Sequence, residues 1–195
     1  YITALQNIAD YADGTNATDP TAATLELAGV TNPDGTDTLL TEPLLSAAQN
    51  AIAGLSGTDV NNTEKLQAIV DSYAVILNWT ETDGGSTEPT QADYLAVGAD
   101  LLAVEGNPNG LSLLNDILAQ TENEAADVDT ITELQDLTDV VDKLVRQVAG
   151  ETLDPALTSG DFSAIGITDV SDGTDGNLDD VLTALAASQD SGLEI

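Results

Sequence analysis

The feature that most constrains this chain is an internal repetition of its sequence. A short block that ends in glycine occurs three times, closing at Gly29, Gly98 and Gly166. Self-similarity at a nearly fixed period, here roughly 68 residues, is typical of folds in which one small unit stacks on copies of itself. The repetition therefore predicts three imperfect units arranged in one elongated array.

A second landmark keeps the same period and sets the unit boundaries. Leu66-Gln67 returns one period later as Leu134-Gln135. Matching Leu5-Gln6 to Leu66-Gln67 gives an interval shorter than the period, so that pair falls out of register and we set it aside. The resulting units are 1–60, whose leading helix is truncated, 61–128 and 129–195.

Hydrophobic periodicity predicts helices throughout the chain. In the second unit and in its copy, apolar residues recur at the i, i+3, i+4 spacing of one helix face. These stripes are Leu66, Ile69, Val70, Tyr73, Ile76 and Leu77, and then Ile131, Leu134, Leu137, Val141, Leu144, Val145 and Val148. Each unit is predicted to hold one long, one short and one medium helix, and no segment alternates as a strand does. The predicted fold class is all-α, a tandem array of helical bundles.

Capping residues place the ends of these helices. Thr21, Thr90 and Thr158 are predicted N-caps of the short helices, which end at the three glycines. The long helices are predicted to begin at Asn61 with Glu64, and at Thr130 with Glu133, because that spacing satisfies two backbone donors reciprocally. Pro43 is predicted at the first position of a medium helix, and Leu178 near the start of another.

Charge and composition exclude several functions. The chain has 35 acidic and 3 basic side chains and neither His nor Cys. Nucleic acids and anionic lipids need basic residues to neutralise phosphate, so neither is an expected partner. Without imidazole or thiol, the chain lacks the usual bases, nucleophiles and zinc ligands. We expect no enzyme, no catalytic residue, no resident cofactor and, for want of an apolar run of about 18 residues, no insertion in a membrane.

Calcium is the one ligand that the loops could hold. Extracellular calcium sites use oxygen ligands on short glycine-containing loops. Two loops offer such ligands, but neither has the twelve-residue helix-loop-helix pattern, and the same acids are suited to capping helices and keeping turns soluble. A weak structural calcium site therefore stays an alternative to helix capping. The candidates are Asp169, Asp172, Asp175 and Asp179, and Asn32, Asp34, Asp37 and Glu42.

Aromatic residues are few and mostly follow the helical stripes. Trp79, the single tryptophan, lies near the end of the long helix of the second unit. It is either a cap over the end of the helical bundle, which we favour, or a platform on which a sugar could stack. The predicted core positions are Tyr11, Tyr73, Tyr94 and Phe162.

Three stretches carry a resemblance to a known family. They are the run from Ile8-Ala9-Asp10-Tyr11 to Asp19-Pro20-Thr21, the segment Ala92-Asp93-Tyr94-Leu95-Ala96-Val97-Gly98 and the segment Leu113-Leu114-Asn115-Asp116-Ile117-Leu118-Ala119. The chain resembles the tandem helical repeats of giant surface adhesins of Gram-negative bacteria, the RTX-type and biofilm-associated proteins. The third copy departs from the pattern at Leu153-Asp154-Pro155 and Ser159-Gly160. The family has no binding motif in these repeats that could be carried over to particular residues.

The resemblance implies a structural extender, or stalk, that projects a distal ligand-binding region from the bacterial cell surface in adhesion or biofilm formation. Its implied partners are neighbouring repeats of the same polypeptide, and we expect an extracellular monomer. The alternative is a helical binding module for a peptide, a glycan or calcium. A binding module would have a cleft with clustered aromatic residues, whereas an extender would have only shallow surface depressions.

Overall fold

All regular structure in the described part of the chain is helical. The computed structural model describes residues 1–35, 39–120 and 124–187, and within these ranges there is no strand. The predicted all-α class is therefore confirmed. The helices are α1 (Ile2–Ala12), α2 (Ala22–Leu27), α3 (Leu44–Gly54), α4 (Thr63–Glu81), α5 (Gln91–Ala96), α6 (Pro108–Leu118), α7 (Ile131–Val148), α8 (Ser159–Ala164) and α9 (Leu178–Ala187). Two short 3₁₀ turns, Leu102–Val104 and Ala125–Asp127, were not predicted.

Most helix starts agree with the predicted caps. Thr130 and Thr158 each accept the backbone N–H three residues later and close a reciprocal capping box. The prediction for α4 was wrong by one residue: Asn62, not Asn61, is its N-cap, since Asn62 Oδ1 accepts the Lys65 N–H at 3.0 Å. Pro43 is likewise the residue before α3 and not the first residue inside it.

The short helices α2, α5 and α8 all end in the same turn. Gly29, Gly98 and Gly166 have φ angles of +91°, +91° and +81°, a left-handed conformation that glycine adopts without a steric penalty. In each turn the residue after the glycine donates its N–H to a carbonyl five residues back, at 2.9 to 3.0 Å. These bonds are Val30 to Leu25, Ala99 to Tyr94 and Ile167 to Phe162.

The buried apolar side chains of the described residues form one connected cluster. It is mainly aliphatic, as the composition requires, and includes the fully buried rings of Tyr73 and Tyr94. α3 packs against α4, and α6 packs against α7, so each of these medium helices contacts the long helix that follows it in sequence. α3 also contacts α7.

No helix among the described residues combines the length and the apolar character that a membrane span requires.

Candidate functional site: the junctions between helical segments

The segment that follows α2 is fastened to α4 by one glutamine. Gln67 Oε1 accepts the Thr31 N–H at 2.8 Å, and Gln67 Nε2 donates to the Thr31 carbonyl at 3.0 Å. The same Nε2 donates to Asp71 Oδ1 at 2.7 Å, one helical turn further along α4. A carboxamide can do this because it offers an acceptor and two donors side by side. We call this arrangement of Gln67, Thr31 and Asp71 the first clamp.

The segment that follows α5 is fastened to α7 in the same way. Gln135 Oε1 accepts the Asp100 N–H at 2.9 Å, and Gln135 Nε2 donates to the Asp100 carbonyl at 2.9 Å and to Asp139 Oδ1 at 2.8 Å. This second clamp (Gln135, Asp100 and Asp139) repeats those three hydrogen bonds one sequence period further along the chain. The first clamp has one more bond, from the Thr31 hydroxyl to Gln67 Oε1 at 3.2 Å. The sequence contained Gln67 and Gln135 as landmarks of the period, but the contacts they make were not predicted.

Apolar residues beside each clamp are closed off from solvent. Val30 and Ala99, which directly precede the clamped residues, are each 4 % exposed. Leu66 and Leu134, which directly precede the two glutamines, are 0 % exposed. Each junction therefore combines hydrogen bonds from the glutamine with buried apolar side chains beside it. Burying a leucine such as Leu66 or Leu134 stabilises the fold by about 1.5 to 3 kcal/mol.

Gln6 on α1 makes part of the same arrangement. Its Nε2 donates to Asp10 Oδ1 at 2.7 Å, at the i, i+4 spacing seen within both clamps. This shared hydrogen bond aligns Gln6 with Gln67, which differs from the prediction that Leu5-Gln6 falls out of register. α1 has 11 residues and α4 has 19, so α1 begins in the same register and ends earlier. Shortening at the C-terminal end of α1 accounts for the shorter interval.

Trp79 belongs to a polar network inside the fold. Its indole N–H donates to the carbonyl of Asn115 on α6 at 2.8 Å, and the ring is partly buried against the core. The Asn115 side chain accepts from Tyr94 Oη at 2.5 Å and donates to the Pro89 carbonyl at 2.9 Å. Burial, together with the nearby Asp93 and Glu88 carboxylates, raises the pKa of Tyr94. These hydrogen bonds link α4, α5 and α6, and one of them uses the indole N–H of Trp79.

In the loop that holds four of the calcium candidates, the Asp172 carboxylate is engaged in local hydrogen bonds. Asp172 accepts from the backbone N–H of Ser159, at 3.3 Å, and from its hydroxyl. Asn177, in the same loop, spans from the Ser171 N–H to the Asp169 carbonyl, at 2.9 Å each.

In the other candidate loop, Glu42 accepts the Ser46 N–H at 3.0 Å at the start of α3. Asp34 donates its backbone N–H to Asn32 Oδ1 at 3.4 Å. Asp37 lies outside the described residues. Across residues 1–35, 39–120 and 124–187, no three acidic side chains are grouped so that they could hold a metal ion.

Two aspartates, Asp129 and Asp161, have pKa values shifted in opposite directions. Burial of Asp129, and then the carboxylates of Glu133 and Glu42, raise the pKa of Asp129. Burial by itself would also raise the pKa of Asp161, but hydrogen bonds from Lys143 and Thr158 more than offset it and hold that pKa below its usual range. Lys143 Nζ lies 2.6 Å from Asp161 Oδ1, which joins α7 to the start of α8.

An open surface cleft beside α1 and α2 is small and is lined mainly by polar residues. Its volume is about 70 Å³, whereas sites for drug-sized ligands measure roughly 300 to 1,000 Å³. No aromatic side chain lines it. The lining residues are Asn7, Asn16, Thr18, Asp19, Pro20 and Thr24.

Comparison of the chain with protein-family models, with curated proteins and with solved structures gives no match. Its function must therefore be inferred from its own sequence and contacts.

Proposed function

We propose that this chain is a structural extender, a segment of a stalk built from tandem helical units. The observation that carries the proposal is the recurrence of the glutamine clamp one sequence period apart, with the same two bonds to a backbone and the same bond to an aspartate. A chain that repeats one kind of junction in this way can be lengthened by adding units, without any new kind of contact.

The junctions give such an array its stiffness. Because α3 packs on α4 and α6 packs on α7, the buried cluster runs through the boundary between one unit and the next. The clamps add hydrogen bonds that fix the register between each short-helix segment and the next long helix. Neighbouring units are therefore not free to rotate about a linker, and the position of one end is transmitted to the other.

The surface charge suits a long and isolated rod. A formal net charge of −32 repels neighbouring molecules, which opposes sideways association. The same charge favours an environment with substantial salt, since charges on the surface are screened over about 8 Å at physiological ionic strength and about 3 Å at 1 M.

The proposed location and role of the segment come from its resemblance to adhesin repeats. In that setting the segment lies outside the bacterial cell, on its surface, and carries a distal ligand-binding region in adhesion or biofilm formation. Its partners are the adjoining units of the same polypeptide, and it acts without catalysis.

A binding module is the second candidate, and the polar cleft beside α1 and α2 is the observation that favours it. Its volume of about 70 Å³ suits a hydrated ion or a single small polar group. Titration with calcium and with a glycan panel tests this candidate, with heat release and Trp79 fluorescence as readouts. Saturable binding in the micromolar to millimolar range would favour the module over the extender.

Length measurements on concatenated chains test the extender directly. Small-angle scattering from one, two and three copies joined in tandem should give a maximum dimension that increases by a constant increment per copy. A compact arrangement, in which the dimension rises only with the cube root of the mass, would contradict the proposal. The single chain should have a radius of gyration above the roughly 16 Å expected for a compact domain of this length.

A further inference from the structure

The hydroxyl group of Tyr73 is buried and unsatisfied. The Tyr73 side chain lies on α4 and is 0 % exposed, and its Oη has no hydrogen-bond partner among the described residues. A buried polar group without a partner costs about 1 to 3 kcal/mol, so each such group in a folded protein needs an explanation. A bound ligand or water beside Oη would provide one.

Two partly buried carboxylates lie near this hydroxyl. Asp129 lies between the 3₁₀ turn Ala125–Asp127, which contacts α4, and the start of α7, which carries Glu133. Burial, and then the negative charges of Asp129 and Glu133, raise the pKa of Tyr73, so its hydroxyl stays neutral. A neutral hydroxyl oxygen keeps lone pairs with which it can bind a cation.

Both carboxylates have oxygens that accept no hydrogen bond. Among the described residues, the Asp129 side chain accepts none, and Glu133 uses only Oε2, which accepts from the Thr130 N–H at 3.1 Å and from the Thr130 hydroxyl at 2.7 Å. Glu42, on the segment before α3, adds a third and more distant negative charge. Like charges in a partly desolvated place repel each other, and a cation between them removes that repulsion.

The corresponding place before α4 has a cation of its own. One sequence period earlier, Asn61 stands where Asp129 stands, and Lys65 stands where Glu133 stands. Lys65 Nζ donates to a backbone carbonyl of the preceding turn at 2.5 Å. The other two of the three basic residues form ion pairs with other carboxylates. In the described part of the chain, the acidic pair before α7 therefore has no basic side chain as its partner.

We propose that Tyr73 Oη and the carboxylates of Asp129 and Glu133 bind one hard divalent cation, for which calcium is the probe. The three side chains offer only oxygen ligands, which calcium prefers, and water completes its six to eight ligands. Only two carboxylates take part, in agreement with the lack of any grouping of three acids across the described ranges. The affinity should therefore be low, with a Kd of roughly 10⁻⁴ to 10⁻³ M.

The bound ion would link two units of the proposed array. Tyr73 belongs to the second unit, and Asp129 and Glu133 belong to the third. Calcium would thus reinforce a junction that the second clamp already holds. This consequence rests on the proposed extender function, whereas binding of the ion does not.

Calorimetric titration of the whole chain with CaCl₂ tests the site. About 0.5 M NaCl in the buffer screens unspecific attraction of calcium to the acidic surface. Tyr73→Phe removes only the hydroxyl, and Asp129→Asn removes one charge at nearly constant size. The matched control, Asp175→Asn, removes one charge from an exposed position in the other candidate calcium loop. Circular dichroism checks that each variant is folded.

The proposal predicts saturable binding of one calcium ion. Asp129→Asn should weaken it at least about tenfold and Tyr73→Phe about threefold or more, because each loses one ligand of the ion. Asp175→Asn should leave the Kd unchanged.

Three results would overturn the proposal. They are the lack of saturable binding, which would leave the hydroxyl with water only, a folded Tyr73→Phe or Asp129→Asn variant that binds like the unmodified chain, and a control weakened as much as Asp129→Asn. The extender proposal would survive any of them if scattering still showed a constant increment per concatenated copy.

Discussion

α6 and α9 are built from similar apolar stripes, yet they differ in burial. Leu114 on α6 is 0 % exposed, whereas Leu182, its counterpart on α9, is only partly buried, as is every other apolar residue of that stripe. α6 is covered by α7, and α9 packs on α7 with one side only. The difference teaches that a medium helix obtains its second buried face from the long helix that comes after it.

A single unit is consequently an incomplete structure. A segment of about 65 residues is near the size at which an isolated core is marginal. Sharing each medium helix with the next long helix gives a connected array more buried surface per residue than separate bundles would have.

The largest expected effect comes from truncating corresponding leucines. Leu114→Ala should lower the free energy of unfolding by about 2 to 5 kcal/mol, because it leaves a cavity in a closed core. Leu182→Ala should cost about 1 kcal/mol or less, since part of that side chain already contacts water. Urea denaturation followed by circular dichroism measures both values. Equal costs would show that α9 is as fully packed as α6.

Salt should stabilise both regions together. Raising NaCl from about 10 mM to 1 M should raise the melting temperature by roughly 5 °C, because screening weakens repulsion among 35 acidic side chains. The difference between the Leu114→Ala and Leu182→Ala variants should stay the same, since apolar packing is not screened. A melting temperature independent of salt would contradict the role given to surface charge.

Replacing the glutamine of a clamp should lower the stability of the fold only where that glutamine holds a backbone segment. Gln135→Ala deprives the Asp100 backbone of two partners and should cost about 1 kcal/mol, with water replacing part of the loss. Gln6→Ala removes one exposed side-chain bond and should change stability by less than about 0.5 kcal/mol. Thermal unfolding of the two variants measures this contrast. A cost at Gln6 as large as that at Gln135 would contradict the assignment of a single exposed hydrogen bond, to Asp10, to the Gln6 side chain.

The smallest effects should come from two aspartates with opposite pKa shifts. The pKa of Asp161 is lowered in the folded chain, so its charge contributes stability that is present above the unfolded value of 3.8 and is lost as pH falls below it. The pKa of Asp129 is raised, so its charge costs stability once the pH exceeds that raised value.

At pH 7, Asp161→Asn should therefore destabilise the chain and Asp129→Asn should stabilise it. Both effects should fade at about pH 3, where the carboxyls of both states take up protons. Denaturation at the two pH values decides the outcome. Effects of the same sign at pH 7 would show that Lys143 and Glu133 are not the dominant neighbours.

The helices could be predicted from the sequence because periodicity and capping are local. Thr130 with Glu133 marked the start of α7 correctly. At α4 two adjacent asparagines are both suitable N-caps by residue type, and only the hydrogen bond in the structure shows that Asn62 caps the helix. The 3₁₀ turn Leu102–Val104 is too short to leave a periodic pattern. The long helices of the second and third units are present as predicted, and α4 and α7 have 19 and 18 residues.

The junctions could be predicted only in part. Gln67 and Asp71 have the i, i+4 spacing of a paired helix face, which the sequence shows. That Gln67 also holds Thr31, which is distant in sequence, depends on how α2 and α4 approach each other, and no local pattern contains that information. The burial of α9 could not be predicted from the sequence either. Its apolar stripe resembles that of α6, and only the structure shows that the side chains of α9 are less buried.

Amide hydrogen exchange at three corresponding backbone positions tests most directly whether two junctions are closed and the third is open. Thr31, Asp100 and Thr168 each stand two residues after one of the three turn glycines, and Thr168 is exposed with no hydrogen-bond partner for its N–H among the described residues. The amides of Thr31 and Asp100 are held by Gln67 and Gln135 and should exchange at least about tenfold more slowly than that of Thr168, after correction for intrinsic rates. Equal protection at all three positions, or none at any of them, would contradict the account.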